Sequence, residues 1–424
     1  MSTLIKNINL LVPDGRIVSG QDVFLQNGVI MDIGVNLPQH ARETIDGTGK
    51  FLSPSLPVTH AHSPMHILRG LAEDVGIEDW FNKEIFPFES KLTPEDVYWG
   101  SRLCFAELLE NGVTAVADHY FFCEEIIAAA RDAGIRLDLA VCTFDFNFEE
   151  MVSLTKQLVA QYRDDPLIRV RYGPHSTYLL SPDHLKQIVE MAKADGSSIH
   201  LHCSESKAEE DNSQAKYGKS HAQIIQQAGG FTLPCLLAHG LYLSEYDLKL
   251  LGKDTWVSSA MKTYMKLGMG EGTIFINHDK IHHSFGIDGG ASSNTANVLE
   301  QARLFALAGK WHNKAAQFTL ADLWKTLQNG HQAMFFNTGK LEKGAPADLI
   351  IWDLNQANTL PLYHPLAAIL YSSDSRNIET VFVNGKILKK DGILLQDTAE
   401  LQAQVLSRSN ALLKRGKGEA NVTF

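Results

Sequence analysis

From residue 54 to residue 341 the chain repeats one pattern, a short apolar run followed by a longer stretch with helical spacing. The runs are Leu56 to His60, Val113 to Tyr120, Leu137 to Thr143, Ile168 to His175, Ser198 to Glu205, Leu236 to Gly240, Thr255 to Ala260 and Ser284 to Asp288. Helical patterns separate most of them: Pro94 to Asn111, Glu124 to Ala133, Phe148 to Tyr162, Pro182 to Ala194, Lys219 to Gln227 and Glu245 to Leu251. Eight strands in such alternation predict an α/β fold, a (β/α)8 TIM-like barrel. A doubly wound open sheet shares the alternation. It would bring a glycine-rich phosphate loop after its first strand, and none follows His60.

The two ends of the chain are written differently. Ile5 to Val12 is an apolar run that stops at Pro13-Asp14-Gly15, and Asn27-Gly28 sits between two strand-like runs as a hairpin turn. Asp348 to Trp352 resumes this style, and Asn384-Gly385 marks a second hairpin. Residues 1-53 and 342-424 are thus expected to form one small β-sandwich, with the barrel, 54-341, inserted between them. Ala399 to Leu413 reads as a closing helix.

Composition narrows the function classes. The net charge of -11 argues against a nucleic-acid surface. The five cysteines are scattered without a CxxC pair, which fits a reducing, cytoplasmic setting. No apolar run has the length of a membrane helix, and Met1 to Leu11 does not read as a signal peptide.

In a barrel of this kind chemistry sits at the C-terminal ends of the strands. His60 and His62 end the first strand, two residues apart and so on one face. His202 and Glu205 end the fifth, His239 the sixth and Asp288 the eighth. Each has an ordinary reading alone: a surface pair, a helix-start charge, a core histidine, a Gly-x-Asp-Gly turn. Their joint placement points to a metal site of His60, His62, His202 and Asp288, suited to one divalent cation, Zn²⁺ before Fe²⁺. Such a cation lowers the pKa of a bound water to roughly 7. Glu205 and His239 are then free to move protons. His200, on the same face as His202, reads as support behind the ligands.

The chain resembles the amidohydrolase superfamily, in the aminohydrolase branch that includes the S-adenosylhomocysteine/methylthioadenosine deaminases. The resemblance runs through Thr59-His60-Ala61-His62-Ser63-Pro64-Met65, Leu68 to Asp74, Trp80 to Glu89, Gly173-Pro174-His175-Ser176, Ala238-His239, Gly286-Ile287-Asp288-Gly289 and Lys343 to Leu349. It implies hydrolytic deamination of an amino-substituted heterocycle, such as an adenosine-type nucleoside. A water activated on the metal would attack the ring carbon and ammonia would leave. Asp288 would take the water's proton, Glu205 would protonate the ring nitrogen, and His239 would hydrogen-bond the attacking oxygen. The position of Glu89 would meet the ribose hydroxyls, and that of His175 the substrate. Trp80 would shape the pocket mouth or serve as a buried anchor, and His119 would reach the pocket or cap its strand. A small-molecule substrate, no nucleic-acid or membrane partner, and a homo-oligomer complete the expectation.

The chain departs from the branch after the seventh strand. A His-Asn-Pro-like run and a Ser-Asn pair give way to Ser258 to Gly268, with Tyr264 at the asparagine position. Two other readings use the same scaffold: displacement of chloride or an alkylamine from a triazine-like ring, and an inactive scaffold protein. The second predicts lost ligands, and none is lost.

Overall fold

The computed structural model describes residues 2–270, 272–312 and 317–418. Two nine-stranded sheets organise it. The first draws on both ends of the chain: β1 (Ser2–Leu11), β2 (Ile17–Gln26), β3 (Val29–Gly34), β4 (Glu43–Asp46), β5 (Phe51–Pro54), then β15 (Leu349–Trp352), β16 (Ile378–Val383), β17 (Lys386–Lys390) and β18 (Ile393–Leu394). Its order is β18-β17-β16-β15-β5-β1-β2-β3, with β4 on β1. Ile30 N–H donates to Ala345 O and Ala347 N–H to Gly28 O, so the sheet rolls up and its far strand reaches the segment leading into β15. Ile5, Ile8, Val23, Leu25, Ile30, Leu349, Ile351 and Phe382 fill the roll.

The second sheet is the expected barrel. Its strands are β6 (Leu56–His62), β7 (Val113–Tyr120), β8 (Arg136–Thr143), β9 (Ile168–Pro174), β10 (Ile199–Cys203), β11 (Cys235–His239), β12 (Thr255–Ser259), β13 (His282–Phe285) and β14 (Asp288–Gly289). All neighbours are parallel, in the order β13-β12-β11-β10-β9-β8-β7-β6-β14. The eighth strand is split. Gly286 N–H still bonds Ser259 O on the seventh strand, while Ile287 N–H bonds His60 O on the first. That switch closes the cylinder and sets Asp288 opposite Ala61. Only glycine fits at 286, because a Cβ there would sit 2.7 Å from His60 O and 2.8 Å from Ser258 Oγ.

The helices include α1 (Pro94–Glu110), α2 (Cys123–Ala133), α3 (Phe148–Gln161), α4 (Pro182–Ala194), α5 (Lys207–Tyr217), α6 (His221–Gln227), α7 (Glu245–Leu248), α8 (Met261–Lys266), α9 (Val298–His312), α10 (Leu320–Ala333) and α11 (Thr398–Arg415). Thr93 starts α1 with a reciprocal capping box to Asp96. Helix α5 escaped the sequence reading because it is polar nearly all round, burying only Glu210 and Ser213 among its own residues. Helix α11 lies against α1, through Arg415–Asp96 and Arg408–Glu95 at 2.6 Å. The sheet and the barrel are joined by buried polar contacts. Arg136, at the start of β8, makes a two-pronged pair with Asp348 at 2.8 Å for each bond. No helix among the described residues is long and apolar enough to cross a membrane.

Candidate active site

His62 and His202 are oriented by what their Nδ1 atoms touch. His62 Nδ1 lies 2.7 Å from His119 O, and His202 Nδ1 lies 2.8 Å from His175 O. A carbonyl only accepts, so both Nδ1 atoms carry the hydrogen and both Nε2 atoms present lone pairs. Those two Nε2 atoms face each other at 3.2 Å. Two acceptors at that distance repel unless something positive sits between them. His60 Nε2 is buried with no hydrogen-bond partner, and its Nδ1 rests 2.9 Å from His200 Nε2. His200 thus stands behind His60, on its Nδ1 side.

Asp288 completes this group. Its Oδ1 lies 3.6 Å from His60 Nε2 and 3.4 Å from His62 Nε2. Its Oδ2 is occupied by two hydroxyls, Thr263 Oγ1 at 3.0 Å and Ser292 Oγ at 2.6 Å. One oxygen is anchored and the other left for the centre. Burial opposes its charge, but the neighbouring His60, His62 and His239 rings outweigh that and hold the carboxyl below its usual range. Burial keeps His60 neutral, its pKa lowered to about 4. Neutral imidazoles and an ionised carboxylate are the protonation states that ligands to a cation need. The ligand atoms of His60, His62 and His202 lie within 4.8 Å of one another, as do those of His60, His239 and Asp288. The donor set fits one divalent cation, and nitrogens with one oxygen favour zinc-like ions over calcium or magnesium.

Beside this group, His239 Nε2 lies 3.4 Å from Glu205 Oε1. Strand β10 ends at Cys203, two residues before the predicted limit. Ser204 takes a left-handed backbone, φ 52°, and that turn carries Glu205 over toward β11. Burial and the nearby Glu209 and Asp288 carboxylates push Glu205 well above the usual carboxylate range, so it holds a proton readily. Burial lowers His239 to about 3.

The remaining predicted residues separate. The Glu89 carboxylate accepts the Tyr120 hydroxyl at 2.5 Å, and the Tyr120 ring lies 6.0 Å from that of His62, which brings Glu89 to the mouth. The His175 ring packs at a tilt against that of His202, centroids 4.6 Å apart. His119 packs 5.0 Å from the His202 ring, with both its nitrogens buried and unpartnered. Trp80 is only 6 % exposed and belongs to the apolar core, its indole N–H without a partner. Sequence reasoning missed Tyr120, Thr263 and Ser292. Ser292 stands four residues after Asp288, a helical spacing that was available as a signal. The contacts made by Tyr120 and Thr263 have no local signature.

A closed parallel barrel with imidazoles and carboxylates gathered at the C-terminal ends of its strands defines a class, the barrel hydrolases. Residues 51–388 match the model of the amidohydrolase family. The chain belongs to that family and is a hydrolase acting on carbon–nitrogen bonds. It is similar to a 5-methylthioadenosine/S-adenosylhomocysteine deaminase of Thermococcus sibiricus, 33% identical over 92% of this chain and 94% of that protein. It is also similar to a 5'-deoxyadenosine deaminase of Methanosarcina mazei, 32% identical over 92% and 93%. Among solved structures, an adenosine deaminase from Xanthomonas campestris with bound zinc superposes with a TM-score of 0.93 at 26% identity, covering 97% of this chain and 98% of that one.

Proposed function

We propose that the protein hydrolytically deaminates a purine nucleoside of the adenosine type. The observation that carries this reading is the pairing of Glu205 with His239 beside the Asp288 group. Displacing an amine from an aromatic ring needs a proton delivered to the ring and to the leaving nitrogen, and a donor at the oxygen that adds. The similarity to enzymes named for adenosine-type substrates supports the same class of ring.

His60, His62, His202 and Asp288 would hold one zinc ion. Bound there, it would supply a Lewis acid that makes water a nucleophile at neutral pH. The chain's own groups do the rest. Asp288 Oδ1 accepts the proton of the attacking water while Thr263 and Ser292 keep its other oxygen still. Glu205, buried and proton-retaining, gives its proton to the ring nitrogen, takes up the one that the added oxygen loses as it becomes the carbonyl, and passes that to the departing amine. His239 donates to the oxygen that has added. Glu89, braced by Tyr120, accepts from the sugar hydroxyls. His175 and His119 line the side of the pocket beneath the heterocycle. Trp80 acts from below, as a packing anchor.

The test is metal analysis of the purified protein, followed by ammonia release across adenosine, its 5'-substituted derivatives, free purines, pterins and aminotriazines. The reading expects about one zinc per chain and the highest kcat/KM on a nucleoside. Turnover confined to triazines with chloride release would overturn it.

A further inference from the structure

Four histidines surround one point, and the two ligand-like groups share His60. A ligand atom of His239 lies within 4.8 Å of those of His60 and Asp288, so proximity alone does not decide which rings ligate. The difference lies on the far side of each ring. His62 and His202 meet carbonyls there. His239 Nδ1 meets a hydroxyl, Tyr264 Oη, at 3.2 Å. That hydroxyl already accepts the Ala260 backbone N–H at 3.0 Å. An amide N–H can only donate, so the oxygen accepts that bond with one lone pair, and its own hydrogen is free to turn to the His239 Nδ1 lone pair. Tyr264 is 2% exposed and its ring packs edge-on against His239 at 5.7 Å.

A neutral imidazole that accepts at Nδ1 carries its one hydrogen on Nε2. There it faces Glu205 Oε1 at 3.4 Å. A nitrogen that bears hydrogen has no lone pair to give a cation. We propose that Tyr264 is a positioning residue that locks His239 in the Nε2–H tautomer, which keeps it out of the ligand set and makes it a hydrogen-bond donor to the reaction. The same device is inverted at His62 and His202, where carbonyls at Nδ1 leave Nε2 bare. Two rings become ligands and a third a donor through the identity of one neighbouring atom each. The donor role of His239 in catalysis rests on the function proposed above; its tautomer does not.

Neutron diffraction from deuterium-exchanged crystals of the full-length zinc-loaded protein tests the lock directly. The expected map has deuterium on His239 Nε2, none on Nδ1, and the Tyr264 hydroxyl deuterium pointing at Nδ1. Deuterium on Nδ1 would overturn the proposal, whether or not the protein folds with position 264 changed. Tyr264→Phe supplies the kinetic arm. It should lower kcat about 10- to 100-fold with KM within twofold, at unchanged zinc content. A kcat within twofold of the unmodified protein would also overturn it. If no purine nucleoside releases ammonia, the functional reading fails while the neutron result still stands or falls alone.

Discussion

The two ends of the barrel bury polar groups in opposite ways. At the N-terminal end Arg136, Asp348 and His331 are all matched. Arg136 meets Asp348 with two bonds, and the Asp348 carboxylate also accepts the Asn384 N–H at 2.9 Å. His331 uses both nitrogens, Nδ1 at 2.8 Å from Thr338 Oγ1 and Nε2 at 2.8 Å from Ser55 O. At the mouth, His60 Nε2, His239 Nε2 and both nitrogens of His119 are buried without partners. Unpaired buried polar atoms are costly, so a fold retains them where something else completes them. One end of the cylinder is finished by the chain itself, and the other is built to be finished by a ligand. Residue type does not separate the two ends, since both use histidine and aspartate; satisfaction does.

Asp288→Asn strikes the unfinished end hardest. It removes a ligand and the first proton acceptor together, and kcat for ammonia release should fall at least about 10³-fold while circular dichroism stays unchanged. Arg136→Ala breaks the finished end. It strands the buried Asp348 charge and should cost about 3–5 kcal/mol in urea unfolding, with kcat per folded molecule and zinc content preserved. A large loss of kcat there would erase the distinction between the two ends. His200→Phe takes away the atom behind His60 Nδ1, and chelator competition should find zinc held about 10- to 100-fold more weakly.

Smaller effects sharpen the contrast. Glu89→Gln should raise KM for a nucleoside about tenfold and leave a free base untouched, because it weakens a charged hydrogen bond to the sugar. Acid should act through His331. Burial lowers it to about 4, while the unfolded chain protonates near 6.5. The unfolded state thus binds more protons as pH drops below 6.5, so the stability this ring contributes is present above 6.5 and lost on the way to pH 4. Urea midpoints measured across that window should fall less steeply in His331→Asn than in the unmodified chain.

The barrel was legible because parallel strands buried on both sides read as near-continuous apolar runs, and the helices between them keep a 3.6-residue period. His60 and His62 were legible because a strand repeats every two residues. Strand limits were less so. The sequence ran β10 on to Glu205, whereas the left-handed Ser204 turns the chain two residues earlier. Helix α5 carried no apolar stripe to find, and the stretch at Tyr264 stood out only as a departure.

The amino-acid order alone thus determined the repeating architecture and the kinds of side chain delivered to one end of it, since periodicity and residue chemistry are local properties. Which nitrogen of each ring faces the centre was decided only on folding. It depends on whether a carbonyl of His119 or His175, or the hydroxyl of Tyr264, comes to rest behind that ring. Those partners lie 57, 27 and 25 residues away along the chain, and only closure of the cylinder brings them within 3.2 Å.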